Sequence, residues 1–330
     1  MADADSSSMK HSNEFWYLDG NVVLIAGEIA FRVFRGQLSQ HSDIFRDLFE
    51  IPQSSSMEQL DGCPVVRLYD DPNDIIHILR ALFPGEHSFS WLMPRPQFAV
   101  VSAWIRLGDK YNIRGLRDHG LELLKKIFSD NFPERFGTAE EYLKKAPIEI
   151  DIRDAPKVVY LSRLTDTPSL LPLAFYMCCQ MVPEDFVGCT TTDIVHERLS
   201  ADDAVRCLKG ADALSHVAIQ SCFVVLSEPN PDCTRKGHPD LCSKLLQFHL
   251  RVIGLTVGQN RHNLMCRAVL DDREPDLRDV VHNSRVCNAC MERTYTKYKE
   301  ERMRIWDVLP TFFDLEERLA DGVLSVGPNS

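Results

Sequence analysis

Four cysteines in the last third of the chain have the residue type and spacing of a metal site. Cys287 and Cys290 are separated by two residues, and Cys233 and Cys242 by eight. A two-residue spacer lets both sulfur atoms face one point, and Zn²⁺ prefers four thiolate or imidazole ligands in a tetrahedron. The eight-residue spacing of the first pair is less typical. We predict a structural zinc site made by these four side chains, with every ligand position filled by protein.

Other interpretations of the same cysteines stay open. His238 or His282 could replace one of the thiolates as a ligand, or the four residues could be separate small hydrophobic side chains or exposed thiols. A thioredoxin-like redox role for Cys287 and Cys290 is a further hypothesis, although no βαβ pattern surrounds them.

No nucleotide-binding or hydrolytic motif accompanies the cysteines. Gly254 and Gly258 lack the Lys-Ser or Lys-Thr that follows in a phosphate-binding P-loop. The sequence also has neither a Gly-x-Ser-x-Gly nor a His-Glu-x-x-His motif. We predict that the protein is not an enzyme, that it has no catalytic residues, and that it needs no cofactor other than the zinc.

Composition narrows the function classes further. The chain has 330 residues, of which 44% are hydrophobic and 26% are charged, as is typical of globular proteins. The length predicts about two domains. The formal net charge is −11, from 37 Lys and Arg against 48 Asp and Glu. This acidic balance argues against nucleic acid and anionic membranes as partners.

The first residues of the sequence and its apolar runs bear on the cellular location of the protein. No apolar run reaches the roughly 20 residues that a membrane helix needs. The first twelve residues are polar and acidic, unlike a secretory signal. We expect an intracellular, reducing location, without distinguishing cytoplasm from nucleus, in which the cysteines are free thiols or metal ligands.

The first part of the chain is predicted to be an α+β domain over residues 15–130, after a disordered tail over residues 1–14. Two strand-like runs are joined by Gly27 and Glu28, which predicts a hairpin. Ser42 is a candidate N-cap for the helix that follows. The predicted order is β-β-α-α-β-α-α-α, in which helices cover a small sheet.

The remainder is predicted to be mainly α-helical, with a helical domain over residues 131–230 and a helical region over residues 231–330 that contains the cysteine pairs. Helical spacing predicts helices over 139–145, 155–164 and 170–181, two across 200–226, and a charged final helix over 291–306. Cys178 and Cys179 are adjacent on a helix, so they point about 100° apart and are predicted to be buried thiols.

Residues 15–130 resemble the BTB/POZ domain, a small β-sheet covered by helices. The match is carried by Val22-Val-Leu, Phe31-Arg-Val-Phe-Arg35, Leu38-Ser-x-x-Ser42-x-x-Phe45-x-x-x-Phe49, the runs Val65 to Leu68 and Ile75 to Phe83, and Gly108-Asp-Lys-Tyr-Asn-Ile through Leu116. Nearly the whole chain is similar to a large set of BTB proteins of mushroom-forming fungi. That wider similarity rests on Phe15-Trp-Tyr-Leu-Asp-Gly-Asn21, Gly62-Cys-Pro-Val-Val66, Cys287-x-x-Cys290 and Ile305-Trp-x-x-Leu-Pro310.

The resemblance implies a homodimer formed through the first helix and the segment before the first strand. The residues that this implies for the dimer interface are Phe15, Trp16, Tyr17, Phe34, Leu38 and Ile44. A homodimer interface of roughly 1,200 to 2,000 Å² would bury such a surface. The alternative is that residues 15–17 fold back on their own domain.

The same resemblance implies a protein–protein interaction module. In the first hypothesis the homodimer is an adaptor that bridges a cullin-type ubiquitin ligase to a target protein, which residues 131–330 select. In the second it is a scaffold or transcription-linked cofactor without ligase contact. The sequence does not name the target.

Overall fold

The computed structural model describes residues 9–51, 58–83, 95–128, 136–191, 198–226, 231, 233–235, 241–248, 267–272 and 285–315. The chain divides into two compact units, one of Met1–Lys126 with Pro147–Glu149 and the other of Ile127–Ala146 with Ile150–Ser330. The predicted α+β class is confirmed, since a five-stranded mixed sheet with helices is followed by a mainly helical region. The predicted boundaries at 130 and 230 stay predictions, and residues 1–8 of the predicted tail lie outside the described residues.

A five-stranded sheet forms the centre of the first unit. Its strands are β1 (Lys10–Trp16), β2 (Val22–Ala26), β3 (Ile29–Val33), β4 (Gln59–Leu60) and β5 (Cys63–Leu68). The strand order is β1-β3-β2-β5-β4, with β2 antiparallel to β3 and parallel to β5. The hairpin of β2 and β3 is present as predicted, and its turn uses Gly27 at φ +53°, where glycine is unstrained.

Strand β1 corrects the predicted start of the fold. Residues 10–14, predicted to belong to a disordered tail, form most of this strand. Only Ser12 and Phe15 of β1 are buried, so its sequence lacks the alternation of hydrophobic residues by which strands are recognised. Strand β1 pairs with β3, and it also contacts the turn that precedes β3, where the Lys10 N–H donates to the Glu28 carbonyl at 2.8 Å.

Five helices of the first unit are described: α1 (Arg35–His41), α2 (Asp43–Glu50), α3 (Pro72–Leu82), α4 (Phe98–Lys110) and α5 (Arg114–Lys125). Ser42 is the N-cap of α2, as predicted, because its hydroxyl oxygen accepts from the Phe45 N–H at 3.0 Å. The same buried hydroxyl donates to the Tyr111 carbonyl at 2.6 Å. One serine therefore both begins α2 and links it to the end of α4.

The described residues of the second unit are mainly helical. Its helices are α6 (Ala139–Lys144), α7 (Ala155–Leu164), α8 (Leu171–Gln180), α9 (Pro183–Thr191), α10 (Ala201–Leu226), α11 (residues 241–248) and α12 (Asn288–Val308), followed by a 3-10 turn at Leu309–Phe313. Helix α8 is buried on nearly every side and is the centre of this unit. Among the described residues, no helix combines the length and the apolar character needed to cross a membrane.

Helix α10 is continuous over 26 residues, so the prediction of two helices across 200–226 is wrong. Gly210 lies in the middle of it, where glycine weakens a helix by its intrinsic propensity. The glycine is needed for packing, because a Cβ atom at position 210 would lie 2.0 Å from the ring of Phe313. Close contact between α10 and the 3-10 turn thus outweighs the local cost.

Candidate metal centre

Three separate segments bring the four predicted cysteines together. Cys233 lies in the short segment 233–235, and Cys242 is the second residue of α11. Cys287 directly precedes α12, and Cys290 lies in its first turn. Since the first and last of these cysteines are far apart in the sequence, only the folded second unit can place them at one point.

The sulfur geometry fits a tetrahedral metal site. The four Sγ atoms all lie within 4.8 Å of one another, and those of Cys233 and Cys287 are 3.6 Å apart. A Zn–S bond of about 2.3 Å in a tetrahedron requires sulfur pairs about 3.8 Å apart. The separation of the Cys233 and Cys287 sulfurs is close to this value, and no sulfur pair exceeds 4.8 Å, so the four side chains can hold a metal ion such as zinc after they move closer together.

Burial differs within the set of four. Cys242 and Cys290 are 0% and 1% exposed, whereas Cys233 and Cys287 are partly exposed. The two buried cysteines belong to an apolar cluster whose other buried members are Val225, Leu226, Leu246 and Val286. The centre therefore has a hydrophobic floor formed by α10, α11 and the start of α12, and one side towards solvent.

A hydrogen bond near the two partly exposed cysteines, Cys233 and Cys287, links the segments that carry them. The Arg235 guanidinium donates to the carbonyl oxygen of Arg285 at 2.6 Å, two residues from each of Cys233 and Cys287. No sequence motif predicts this contact, because it joins two residues that are fifty positions apart. It was missed at the level of sequence, and it explains how a short loop without helix or strand is kept beside α12.

The electrostatics favour a thiolate at Cys287. Burial by itself raises the pKa of this thiol, but the backbone of Cys290 and Thr234 and the thiols of Cys290 and Cys233 stabilise the anion. Together these hydrogen bonds lower the pKa from 9.0 to about 6. A thiolate is the form that binds a metal ion, so the lowered pKa favours metal binding at Cys287.

The two histidines considered as substitute ligands, His238 and His282, lie outside the described residues. The described cysteines supply four ligand atoms without them. Because thiolates select soft or borderline metals over Mg²⁺ and Ca²⁺, the donor set fits Zn²⁺.

A second group of cysteines in the same unit has a different environment. Cys178, Cys179 and Cys207 are 1%, 3% and 2% exposed, and the Cys179 thiol donates to the Cys207 carbonyl at 3.3 Å. Burial raises the pKa of Cys178, and hydrogen bonding among the three thiols raises the pKa of Cys179 and of Cys207. Cys178 and Cys179 are thus buried neutral thiols, as predicted.

The residues predicted to form a dimer interface fall into two groups. Phe15 and Leu38 are 3% and 0% exposed and belong to the core of their own unit. Phe15 thus points inward, which is the alternative in which this segment folds back. These two side chains offer no surface to a partner.

The other four predicted interface residues are accessible to different degrees. Trp16 is partly buried and stacks on His11 with ring centroids 3.6 Å apart. Tyr17 packs against Phe34 at 5.1 Å, also within the unit. Ile44 is 46% exposed on α2. Of the six, Ile44 has the clearest exposed surface, and the dimer itself stays a prediction.

Comparisons of this chain with protein-family models, with curated proteins and with solved structures found no match.

Proposed function

We propose that this chain is a non-enzymatic interaction protein whose second unit is held together by a structural zinc ion. The observation that supports this most directly is the convergence of four cysteine sulfurs within 4.8 Å. Four protein ligands complete the tetrahedron that zinc prefers, so no position is left for a substrate or an activated water molecule. Such an ion contributes folding free energy rather than catalysis.

In this proposal the zinc joins three segments of the second unit. Residues 233–235 form neither helix nor strand, and the ion connects them to α11 and to the start of α12. In this role Cys287 and Cys290 hold the first turn of α12, and Cys242 anchors the ion to the apolar cluster. The second unit thereby gains a rigid end on which a target protein can be selected.

Metal analysis of the purified full chain tests the zinc. We expect one zinc per chain, and loss of the metal in the variant Cys287→Ser. The variant Cys189→Ser is the matched control, because Cys189 is also partly exposed but does not belong to the group of four. A wild-type chain that takes up no zinc when refolded with the ion contradicts the proposal.

The first unit is proposed to be the BTB/POZ-like module that pairs two chains. The support is the resemblance of residues 15–130 together with a small mixed sheet and covering helices in the described order. The exposed Ile44 and Leu48 lie on one face of α2, and the exposed Ile51 directly follows this helix. An Ile44→Glu variant is expected to reduce the mass of the assembly in light scattering.

The role that we propose for this assembly is that of an adaptor between a cullin-type ubiquitin ligase and a target protein. The face expected to meet the cullin lies within residues 74–128. Affinity capture of the intact chain from its native host, followed by mass spectrometry, is expected to recover a cullin. Asp118→Arg with Glu122→Arg on the exposed side of α5 should abolish its capture, and Glu140→Arg on α6 is the control for reversal of an exposed charge elsewhere in the chain.

Two alternatives give different results in the same experiments. A scaffold or transcription-linked cofactor recovers partners but no cullin. A dithiol redox protein is favoured by the lowered pKa of Cys287 and predicts a reversible disulfide between Cys287 and Cys290 in a chain purified without metal. Zinc in the purified chain, together with unreactive thiols, contradicts the redox role.

A further inference from the structure

A cavity of about 330 Å³ lies within the second unit, between α7, the segment 198–200 and the first turns of α10. Three arginines line it, namely Arg163, Arg198 and Arg206, and we call it the arginine cavity. Its volume is at the lower end of the range for small-molecule sites, so it admits a small ligand or a single side chain.

The lining of the arginine cavity is positively charged, although the whole chain has a net charge of −11. Two carboxylates, Asp202 and Asp203, lie beside the three guanidinium groups, and the five side chains together leave one net positive charge. Asp203 is buried, whereas Asp202 is exposed in the first turn of α10. The cavity therefore favours an anionic ligand.

Asp203 fixes two of the arginines without using all of their donors. One oxygen of its carboxylate accepts from Nη2 of Arg163 at 2.8 Å and from Nη1 of Arg206 at 3.5 Å. The Ser200 hydroxyl donates to the other oxygen at 3.0 Å. Among the described residues, Asp203 is the only hydrogen-bond acceptor of either guanidinium. Since a guanidinium has five N–H donors, both arginines keep donors for a ligand.

Two of the arginines also carry a donor that has no acceptor in the described part of the chain. Nε of Arg206 is buried and makes no hydrogen bond there. Arg198 is exposed, and its guanidinium has neither a hydrogen bond nor an ion pair within the same residues. Buried donors are nearly always satisfied, so Nε of Arg206 indicates an acceptor that belongs in the cavity. A water molecule can accept this N–H, but it does not compensate the charge of the lining.

The number and type of donors favour a phosphate monoester over a carboxylate. Near pH 7 a phosphate monoester has a charge of about −1.5 to −2 and three acceptor oxygens, whereas a carboxylate has one charge and two oxygens. Asp203 balances one of the three guanidinium charges, so two remain for a dianion. Guanidinium groups also bind phosphate through paired N–H donors. The exposed Asp202 opposes such a ligand.

We propose that the arginine cavity is a binding site for a phosphate monoester, in which its three arginines donate to the phosphate oxygens. Tyr160 of α7 also lines the cavity and offers its ring to the carbon atoms that carry the phosphate. The group comes either from a small phosphate ester or from a phosphorylated side chain of a target protein. The site depends neither on the metal nor on pairing of the first unit.

Calorimetric titration of the full chain with acetyl-phosphoserine amide, in a buffer without phosphate or sulfate, tests the site. We expect saturable binding of this compound and no binding of acetyl-serine amide. Arg198→Gln should weaken the binding about tenfold, because it removes a charge and its N–H donors. Asp202→Asn should strengthen it about twofold to fivefold, because it removes a repelling charge at an exposed position.

Lys145→Gln is the control variant, because it removes an exposed positive charge that does not line the cavity. It should bind the phosphoserine compound as the wild type does. Arg198 has no polar partner among the described residues, so Arg198→Gln should also keep the melting temperature of the wild type.

A capped peptide with phosphoserine between uncharged residues distinguishes the two sources of the phosphate. Tighter binding of the peptide than of acetyl-phosphoserine amide supports a phosphorylated protein as the ligand. Equal or weaker binding of the peptide supports a small phosphate ester.

Three results would overturn the proposal. One is the absence of saturable binding of acetyl-phosphoserine amide up to about 1 mM. The second is binding of acetate as tight as that of the phosphoserine compound, which identifies a carboxylate site. The third is wild-type affinity in both Arg198→Gln and Asp202→Asn, which places the ligand elsewhere on the chain.

Discussion

The second unit contains two groups of cysteines with opposite properties. Cys178, Cys179 and Cys207 lie where helices α8 and α10 pack; burial raises the pKa of Cys178, and hydrogen bonding to neighbouring thiols raises the pKa of Cys179 and of Cys207. The group around Cys287 lies at a helix start and a loop, where the pKa of Cys287 falls to about 6. Sulfur in the middle of two packed helices stays a neutral hydrophobic side chain, whereas sulfur at the start of a helix or outside helices can meet backbone N–H groups, which favour the thiolate that a metal ion binds.

Of the experiments that compare the two groups of cysteines, removal of the metal should have the largest effect on stability. A strong chelator is expected to destabilise the second unit by at least about 3 kcal/mol, because zinc binding in such sites is folding free energy. In thermal unfolding followed by circular dichroism, this corresponds to a fall of about 10 °C.

The control for metal removal is the variant Cys287→Ser, which should start at the lower melting temperature and not respond to the chelator. A wild-type chain that melts at the same temperature with and without chelator would show that the cysteine cluster contributes no metal-linked stability.

Alkylation of the metal-free chain is expected to show the next largest difference. At pH 7 most of Cys287 is thiolate, while burial raises the pKa of the partly exposed Cys189 to about 11. Iodoacetamide should modify Cys287 faster by roughly 100-fold or more, since the thiolate is the nucleophile. Peptide mass spectrometry over pH 5 to 8 should give a midpoint near pH 6 for Cys287, as expected from its pKa of about 6.

Protection by metal completes that experiment. Zinc added before the reagent should slow modification of Cys287 and leave Cys189 unchanged. Equal rates for the two cysteines in the metal-free chain would contradict the difference in thiolate content.

Substitution in the buried group should have the smallest effect of the three. Cys207→Ser places a hydroxyl among apolar side chains and is expected to cost about 1–3 kcal/mol. The zinc content should remain one per chain, because Cys207 is not one of the four clustered cysteines. Denaturant unfolding with metal analysis of the same sample checks both points, and a loss of zinc here would show that the two groups are coupled.

The parts of the fold that depend on local sequence could be predicted. The hairpin of β2 and β3 follows from apolar runs around Gly27, and the N-cap of α2 follows from Ser42 before an apolar helix. Strand β1 could not be predicted in this way, because its pairing with β3 is set by the fold and its sequence is polar. Position in the sheet, rather than propensity, determines that strand.

The candidate site was predictable in its members but not in its supports. Cys287 and Cys290 have a recognisable spacing, and two further cysteines in the same region complete a set of four. The contact of Arg235 with the Arg285 carbonyl depends on the path of the chain and leaves no pattern in the sequence. Likewise, the burial of Phe15 and Leu38 depends on which faces the core covers, and apolar residue type alone does not reveal it.

The cysteine cluster brings together residues that are far apart in the sequence, and the cost of doing so depends only weakly on the length of chain between them. Cys242 and Cys287 are 45 residues apart in the sequence, yet the backbone N–H of Cys287 lies 3.5 Å from the Cys242 sulfur. The entropy of closing a flexible loop grows only with the logarithm of its length, so that a doubling costs about 0.6 kcal/mol. In the unfolded chain, the length of sequence between the two cysteines therefore adds little to the cost of bringing them together, and lengthening it by a few residues is expected to change that cost by much less than a doubling does.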